Sequence, residues 1–176
     1  MNGADVIARG FRDAGVDVAF GLPGAHNLAL WPACDASGVR IVGMRTEQGC
    51  AYAADGYARA TGKIGVALVT TGPGAANTVG AVGEAWASRS PVVVVATDIP
   101  SALRRPGEYR GVLHECTDQA ALFAPVTKRQ TTSVADALRL AVTPPVRPAY
   151  VGVPSDLLGA DAEYTAQPSE IGRAHV

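Results

Sequence analysis

A glutamate that directly follows an apolar segment is the residue of this sequence best placed for acid–base chemistry. Glu47 comes after the predicted strand Val39–Met44 and opens the predicted helix Glu47–Thr61. Enzymes built on parallel sheets carry their reactive groups at such carboxyl ends of strands. A structural role competes with this interpretation, because the helix dipole stabilises an acid in the first turn and Thr46 can cap the same helix.

Two glycine-rich turns also follow predicted strands. A tight turn explains Phe20–Gly24 (FGLPG) without any ligand. Thr70–Asn77 (TTGPGAAN) leads from a strand into a helix, where exposed backbone N–H groups can approach a ligand. This segment nearly matches the dinucleotide fingerprint GxGxxG, and Asp98 stands about where an acid that binds a ribose is expected. Asn77 replaces the third glycine, which weighs against a dinucleotide site.

A third group of polar residues follows Pro100–Gly111, whose prolines and glycines predict an exposed loop. His114 and Glu115 come next, and Asp118 and Gln119 follow shortly after. These side chains could face a substrate, or they could be solvated residues at the start of a helix. The sequence has no HxxH or HExxH spacing, so we expect no metal site formed by this chain alone.

Short apolar segments alternate with helix-length segments along most of the chain. The predicted strands are Val16–Phe20, Val39–Met44, Ile64–Thr70, Pro91–Thr97, Val126–Arg129 and Ala149–Val153. The predicted helices are Asp5–Ala14, Asn27–Ala36, Glu47–Thr61, Ala75–Ser88 and Val134–Val142. Repeated strand–helix–strand units imply a parallel sheet with helices on both faces. We therefore expect an α/β fold with a six-stranded, flavodoxin-like parallel sheet.

Composition and charge exclude several classes of protein. The chain has 176 residues, of which 48% are hydrophobic, and its formal net charge is −1. This charge argues against a nucleic-acid-binding protein, and no apolar segment approaches the ~20 residues of a membrane-spanning helix. Asp5 and Arg9 argue against a signal peptide, and three scattered cysteines without a CxxC pair fit reduced thiols. We expect a cytoplasmic protein that binds neither nucleic acid nor a membrane.

The chain resembles the N-terminal, pyrimidine-binding domain of thiamine-diphosphate enzymes, in particular acetolactate synthase and its 2-oxo-acid decarboxylase relatives. The resemblance rests first on the order of three segments that follow predicted strands: Phe20–Gly24, the segment that contains Glu47, and Thr70–Asn77. The resemblance covers about residues 3–160. The segments that carry it are FGLPG (20–24), RTEQGCAYAADGYARATGKIGV (45–66), TTGPGAANTVGAVGEAW (70–86), SPVVVVATD (90–98), VTKR (126–129) and RPAYVGVPSDLL (147–158). Colinear motifs over that length specify the domain more closely than the substrate.

The resemblance implies a catalytic role for Glu47. In the family this glutamate hydrogen-bonds N1′ of the cofactor's aminopyrimidine ring, and the contact promotes removal of the C2 proton from the thiazolium ring. The activated cofactor then attacks a 2-oxo acid and serves as the electron sink for decarboxylation. The resemblance further implies that Pro23, Gly24, Gly72 and Asn77 line the cofactor or the adjoining interface.

The resemblance places the substrate near His114, Glu115 and Gln119. Acetolactate synthases usually have Phe-Gln-Glu where this chain has Leu-His-Glu at 113–115. That difference favours decarboxylase relatives over acetolactate synthase itself. The expected function is therefore that of a 2-oxo-acid decarboxylase or carboligase, a lyase or transferase.

The family holds the cofactor's diphosphate through Mg²⁺, with a GDG motif in a separate C-terminal domain. No GDG occurs in these 176 residues, so we expect half of a site, inactive alone, completed in a homo-oligomer or by a complementary diphosphate-binding domain. FAD in a middle domain of the longer protein stays open. The alternatives are a stand-alone α-subunit of a heteromeric decarboxylase, an NAD-binding dehydrogenase domain, and a partner-binding domain without catalysis.

We expect the domain to cover residues 1–158 and the segment 159–176 to be a tail or a truncated linker. Glu170–Val176 (EIGRAHV) back-translates readily to a sequence that resembles a sequencing-library adapter. Our hypothesis is that the natural chain is longer. A genomic read across Ser169 tests it, and an uninterrupted coding sequence for IGRAHV there would refute it.

Overall fold

Six strands and six α-helices alternate along residues 1–166, the part of the chain that the computed structural model describes. The strands are β1 (Val18–Gly21), β2 (Arg40–Gly43), β3 (Gly65–Val69), β4 (Val92–Asp98), β5 (Gln130–Thr131) and β6 (Ala149–Pro154). The helices are α1 (Gly3–Asp13), α2 (Leu30–Ala36), α3 (Glu47–Thr61), α4 (Pro73–Ala76), α5 (Val79–Ala87) and α6 (Val134–Val142). Short 3₁₀ turns lie at Ser101–Leu103, Val112–His114, Ala121–Val126 and Ser155–Leu158.

The strands form one parallel sheet in the order β2-β1-β3-β4-β6-β5. Every residue of β3 and β4 is buried, which explains the continuously apolar segments Val66–Val69 and Val92–Ala96. Helices α1, α2 and α6 pack on one face around a core that includes Phe11, Leu30 and Leu138. Helices α3, α4 and α5 contribute to the second core on the other face. The predicted six-stranded parallel α/β fold is confirmed.

Helix α3 begins and ends at the residues that the sequence predicts. Thr46 caps it, because Thr46 Oγ1 accepts a hydrogen bond of 3.1 Å from the N–H of Gly49. Asp55 and Arg59, four residues apart on α3, form an ion pair at 2.5 Å. Asp55 is buried, however, and Arg59 also contacts Glu84 at 3.0 Å, so the pair joins α3 to α5 instead of lying on a free surface.

The predicted strand Val126–Arg129 is wrong. Val126 ends a 3₁₀ turn, and the edge strand β5 starts at Gln130, opposite Tyr150 of β6. Pro125 lacks the N–H that a regular ladder uses, and the Thr127 hydroxyl donates to Phe123 O at 2.7 Å, which extends the turn.

The predicted helix Ala75–Ser88 is two helices. Pro73 occupies the first helical position, which its fixed φ favours, so α4 begins earlier than expected. The Thr78 hydroxyl donates to Ala75 O at 2.7 Å, and the chain bends there before α5 begins at Val79. This break places Asn77 at the end of α4.

The end of the described chain lies against its beginning. Gly3 N–H donates to Ala160 O, and Ala162 N–H donates to Met1 O. The domain boundary at Leu158 stays a prediction, and the adapter hypothesis for Glu170–Val176 falls outside the described residues. Within residues 1–166, no helix combines the length and the apolar character that crossing a membrane requires.

Candidate functional site

The residues predicted to bind the cofactor lie in segments that follow β1, β2 and β3, at one edge of the parallel sheet. Pro23 and Gly24 belong to the turn after β1, Glu47 begins α3 after β2, and Gly72 lies in the turn after β3. The carboxyl edge of a parallel sheet is where α/β proteins bind ligands.

Glu47 reaches across this edge to the end of α4. Its Oε2 accepts a hydrogen bond of 3.1 Å from Asn77 Nδ2. Within residues 1–166 its other carboxylate oxygen, Oε1, has no hydrogen-bond partner. Glu47 as a residue is half-buried, Asn77 and the hydrogen bond between them are exposed, and Thr46 rather than Glu47 caps the helix. Glu47 therefore presents one free acceptor oxygen at the sheet edge, and its carboxylate contacts a neighbouring segment.

The Thr70 side chain packs against two glycines, Gly24 in the turn after β1 and Gly74 in α4. A Cβ on Gly24 would lie 2.8 Å from the Thr70 side chain, and a Cβ on Gly74 would lie 2.6 Å from Thr70 Cγ2. A Cβ on Gly74 would also lie 3.5 Å from Glu47 Oε1. Glycine at 24 and 74 thus lets the first and third turns meet beside the glutamate. Pro23, next to Gly24, is exposed.

Two sets of hydrogen bonds were not predicted from the sequence: those of Asn27 within the turn after β1, and one between His26 of that turn and Thr71 of the turn after β3. Asn27 is fully buried, and its Oδ1 accepts from Gly24 N–H at 2.8 Å while its Nδ2 donates to Leu22 O at 3.2 Å. His26 Nδ1 and Thr71 Oγ1 form a hydrogen bond of 2.7 Å. An asparagine three residues after a turn glycine is the signal that could have identified Asn27.

Gly72 adopts a backbone conformation that favours glycine, with φ at +61°. The carbonyl oxygen of His114 packs so closely against Gly72 that a Cβ there would clash with it. Leu113 and His114 also have positive φ values, of 51° and 65°, and both are exposed. The structure thus brings the predicted substrate segment against the turn after β3.

The three residues predicted to contact substrate have different surroundings. The His114 side chain is exposed. Glu115 Oε2 accepts from the backbone N–H groups of Arg110 and Gly111, at 2.9 and 3.1 Å, and so holds the preceding loop. Gln119 is buried, and its Oε1 accepts from the Gly72 N–H.

Asp98 has partners of its own at the end of β4. Its Oδ1 accepts from the N–H of Ile99 at 2.7 Å, and its Oδ2 pairs with the Arg104 guanidinium. Asp98 is 6% exposed. Both oxygens are therefore engaged, which argues against the alternative in which Asp98 binds the ribose of a dinucleotide.

A cavity of about 720 Å³ opens at the carboxyl ends of β4, β5 and β6. Its lining has both charge signs and includes Asp98, Arg104, Glu115, Gln119, Arg129 and Tyr150. Burial raises the pKa of the Tyr150 phenol well above its usual range. Among the described residues, no three His, Cys, Asp or Glu side chains are grouped as a metal ion would need.

Comparison with known proteins relates the chain to one enzyme family. The family model described as thiamine pyrophosphate enzyme, N-terminal TPP binding domain, matches residues 1–122. A probable 2-ketoarginine decarboxylase of Pseudomonas aeruginosa is 37% identical over 91% of this chain and 30% of its own length.

Two further relatives have other activities. The acetolactate synthase large subunit of Corynebacterium glutamicum is 32% identical over 96% of this chain and 28% of its own length. The 2-hydroxyacyl-CoA lyase 2 of Mus musculus is 36% identical over 89% of this chain and 26% of its own length. The chain thus spans less than a third of the length of each of these relatives.

Proposed function

Since this chain belongs to the thiamine pyrophosphate enzymes and corresponds to their N-terminal TPP-binding domain, we propose that it is the pyrimidine-binding domain of a 2-oxo-acid decarboxylase or carboligase. The observation that carries the proposal is the Glu47 carboxylate at the end of β2, with one oxygen held by Asn77 and the other free among the described residues. Thiamine diphosphate, when bound, supplies the electron sink for decarboxylation.

The residues present fit the pyrimidine half of this cofactor. Glu47 Oε1 offers an acceptor at the sheet edge, and Gly74 adds no side chain beside it. Glu47 would hydrogen-bond the ring at N1′ and hold or release a proton there. Pro23, Gly24, Gly72 and Asn77 would line the ring or the adjoining interface.

The hydrogen bond from Asn77 gives this assignment a physical basis. It fixes one carboxylate oxygen, so the direction of the other no longer depends on a freely rotating side chain. A general acid–base group acts only when it lies within hydrogen-bond reach of the proton that it moves. Asn77 would therefore orient Glu47 as well as line the site.

The other half of the site is part of the proposal too. We infer that Mg²⁺ and the diphosphate are held by a second domain, either of another copy in a homo-oligomer or of a complementary chain. The share of the relatives' length that the chain covers, 26 to 30%, leaves room for such a domain. FAD binding stays open, the stand-alone α-subunit stays an alternative, and the cytoplasmic location stays a prediction.

The substrate class is proposed as a 2-oxo acid, with decarboxylation favoured over carboligation. Leu-His-Glu at 113–115 differs from the acetolactate synthase motif, and the relative at 37% identity is described as a decarboxylase. His114, exposed and held against Gly72 through its backbone, is the side chain of this segment best placed to meet a substrate.

Calorimetric titration tests the cofactor assignment. The 176-residue chain is titrated with thiamine diphosphate and with NAD, alone and after addition of the diphosphate-binding domain of a relative. We expect weak binding of thiamine diphosphate alone, stronger binding with the second domain, and none of NAD. Binding of NAD together with no response to thiamine diphosphate would overturn the proposal in favour of a dehydrogenase domain.

A further inference from the structure

A single buried side chain, that of Gln119, joins segments at the ends of three strands. Its Oε1 accepts from the N–H of Gly72, which follows β3, at 2.5 Å. Its Nε2 donates to the carbonyl of Thr97 in β4 at 2.9 Å and to the hydroxyl oxygen of Tyr150 in β6 at 2.7 Å. Gln119 is 3% exposed, so water does not replace these partners.

The backbone partners fix the orientation of the Gln119 amide. Gly72 offers a donor and Thr97 offers an acceptor, so rotating the amide by half a turn would break both bonds at once. Both N–H groups of the amide are already used. Gln119 would have to give up an internal bond in order to donate to a substrate, which favours a role inside the domain over direct contact.

The segment that carries Gln119 is itself held firmly. The rings of Phe123 and Tyr150 stack at a centroid distance of 4.1 Å and an interplanar angle of 17°. Both rings are buried, and the Asp118 carboxylate accepts from the N–H of Ala121 at 2.9 Å. Gln119 is therefore a fixed point against which the turn at Gly72 is held.

Gly72 is the point from which this restraint reaches the glutamate. Helix α4 starts directly after Gly72 and ends at Ala76, so it places Asn77, which donates to Glu47 Oε2. Gly72 is buried, and its N–H donates a hydrogen bond to Gln119 Oε1. A buried N–H without an acceptor is unfavourable, so the turn would shift if this oxygen were removed.

We propose that Gln119 is a positioning residue for the cofactor: it fixes the turn at Gly72, and through α4 and Asn77 it orients the Glu47 carboxylate. This inference rests on the proposed function, because it concerns the residue that would meet the aminopyrimidine ring. It assigns Gln119 no contact with the cofactor or the substrate.

The test compares substitutions at Gln119 with the same substitutions at Gln130. Gln119→Met fills similar volume but removes the acceptor for Gly72 and the donor for Thr97. Gln119→Glu keeps an acceptor for Gly72 but loses both donor bonds, to Thr97 O and to the Tyr150 hydroxyl oxygen, and sets a carboxylate oxygen against the Thr97 carbonyl. Gln130 is a glutamine of the same domain whose Nε2 donates to Thr127 Oγ1 at 2.7 Å and that makes no bond to Gly72 among the described residues, so Gln130→Met and Gln130→Glu are the matched controls.

The first readout needs no cofactor and uses the 176-residue chain. Amide hydrogen exchange is followed by NMR at Gly72, with the amides of β3 as the reference for global opening. We expect exchange at Gly72 to quicken by about tenfold or more in Gln119→Met, less in Gln119→Glu, and not in the Gln130 variants. Unchanged exchange at Gly72 in Gln119→Met would overturn the proposal.

The second readout is exchange of the C2 proton of bound thiamine diphosphate in the complete enzyme that carries this domain. We expect Gln119→Met to slow it by about tenfold to a hundredfold, because small displacements of a catalytic group are costly. Gln119→Glu should recover part of the loss. A rate equal to that of the Gln130 control would show that the bond is structural only and would overturn the proposal.

One further variant, Glu47→Gln, keeps the outcomes distinguishable. If Gln119→Met does not fold, Gln119→Glu and Gln130→Glu carry the same comparison. Glu47→Gln is measured in parallel: if it leaves C2 exchange unchanged, the proposed function fails. If Glu47→Gln slows C2 exchange and the Gln119 variants do not, only the positioning role fails.

Discussion

Asn77 Nδ2 lies 3.1 Å from Glu47 Oε2, and this hydrogen bond joins the end of α4 to the start of α3. The two residues are separated by the whole of α3 and β3 in the chain. An acid at a helix start has an ordinary structural explanation. The bond from Asn77 in addition restrains the orientation of the Glu47 carboxylate. The functional interpretation of Glu47 gains its geometry from this bond.

Asn77→Asp should impair the enzyme more than Asn77→Ala. Alanine removes the donor and frees the Glu47 carboxylate, at a cost of about 0.5–1.5 kcal/mol in the contact. Aspartate places a second carboxylate beside the first, and like charges at this distance repel. Cofactor affinity and C2 exchange in the complete enzyme measure the effect. Values like those of the wild type in both variants would show that the bond does not orient Glu47.

Gly74→Ala should destabilise the domain through one specific clash. The new Cβ would lie 2.6 Å from Thr70 Cγ2, and overpacking of this kind costs about 1–3 kcal/mol. Thr70→Ser removes that methyl group, so the double variant should recover much of the loss in urea unfolding.

A matched control for this change lies in α5. A Cβ on Gly80 meets nothing within 4 Å, so Gly80→Ala should be neutral, or stabilising by up to about 1 kcal/mol. Additive effects of Gly74→Ala and Thr70→Ser would contradict the packing of Gly74 against Thr70.

Two buried cysteines should make stability fall at alkaline pH. Burial raises the pKa of the Cys34 and Cys50 thiols to about 12, from an ordinary value of 9.0. Between these values the unfolded chain releases protons that the folded chain retains, so rising pH favours unfolding. Each thiol should contribute a loss on the order of 2 kcal/mol by pH 10.5.

Urea unfolding at pH 8 and pH 10.5 measures this loss. Cys34→Ala should reduce the difference in unfolding free energy between the two pH values, whatever it does to stability at pH 8. An unchanged difference would show that the Cys34 thiol titrates alike in both states.

The sequence was most informative where local signals and the sheet agree. Thr46 as N-cap and Gly62 after the last turn bound α3 at the predicted residues. The strand predicted at 126–129 does not form, and β5 starts at Gln130 instead. Pro125 has no N–H to donate, and the Thr127 hydroxyl bonds to Phe123 O, so local features outweighed the apolar pattern. Boundaries set by such local competition are hard to derive from periodicity.

The contacts that organise the site could not be read from spacing. Gln119 and Gly72 are 47 positions apart, and His26 and Thr71 are 45 apart, so only the folded sheet brings them together. The segment around Gln119 drew attention through its histidine and acids, which suggested substrate contact. The structure instead gives Gln119 internal partners, which no local motif indicates.

The most direct test of the catalytic assignment is the rate of C2 proton exchange of bound thiamine diphosphate in the complete enzyme with Glu47→Gln. The change keeps size and hydrogen bonding but removes the proton-transfer group. The exposed acid Glu108, which pairs locally with Arg105, is replaced in Glu108→Gln as the control. We predict exchange slower by ~10²–10⁴-fold with the cofactor still bound. An exchange rate like that of the wild type and the control, with a stability change well under ~1 kcal/mol, would instead identify Glu47 as an ordinary helix-start acid.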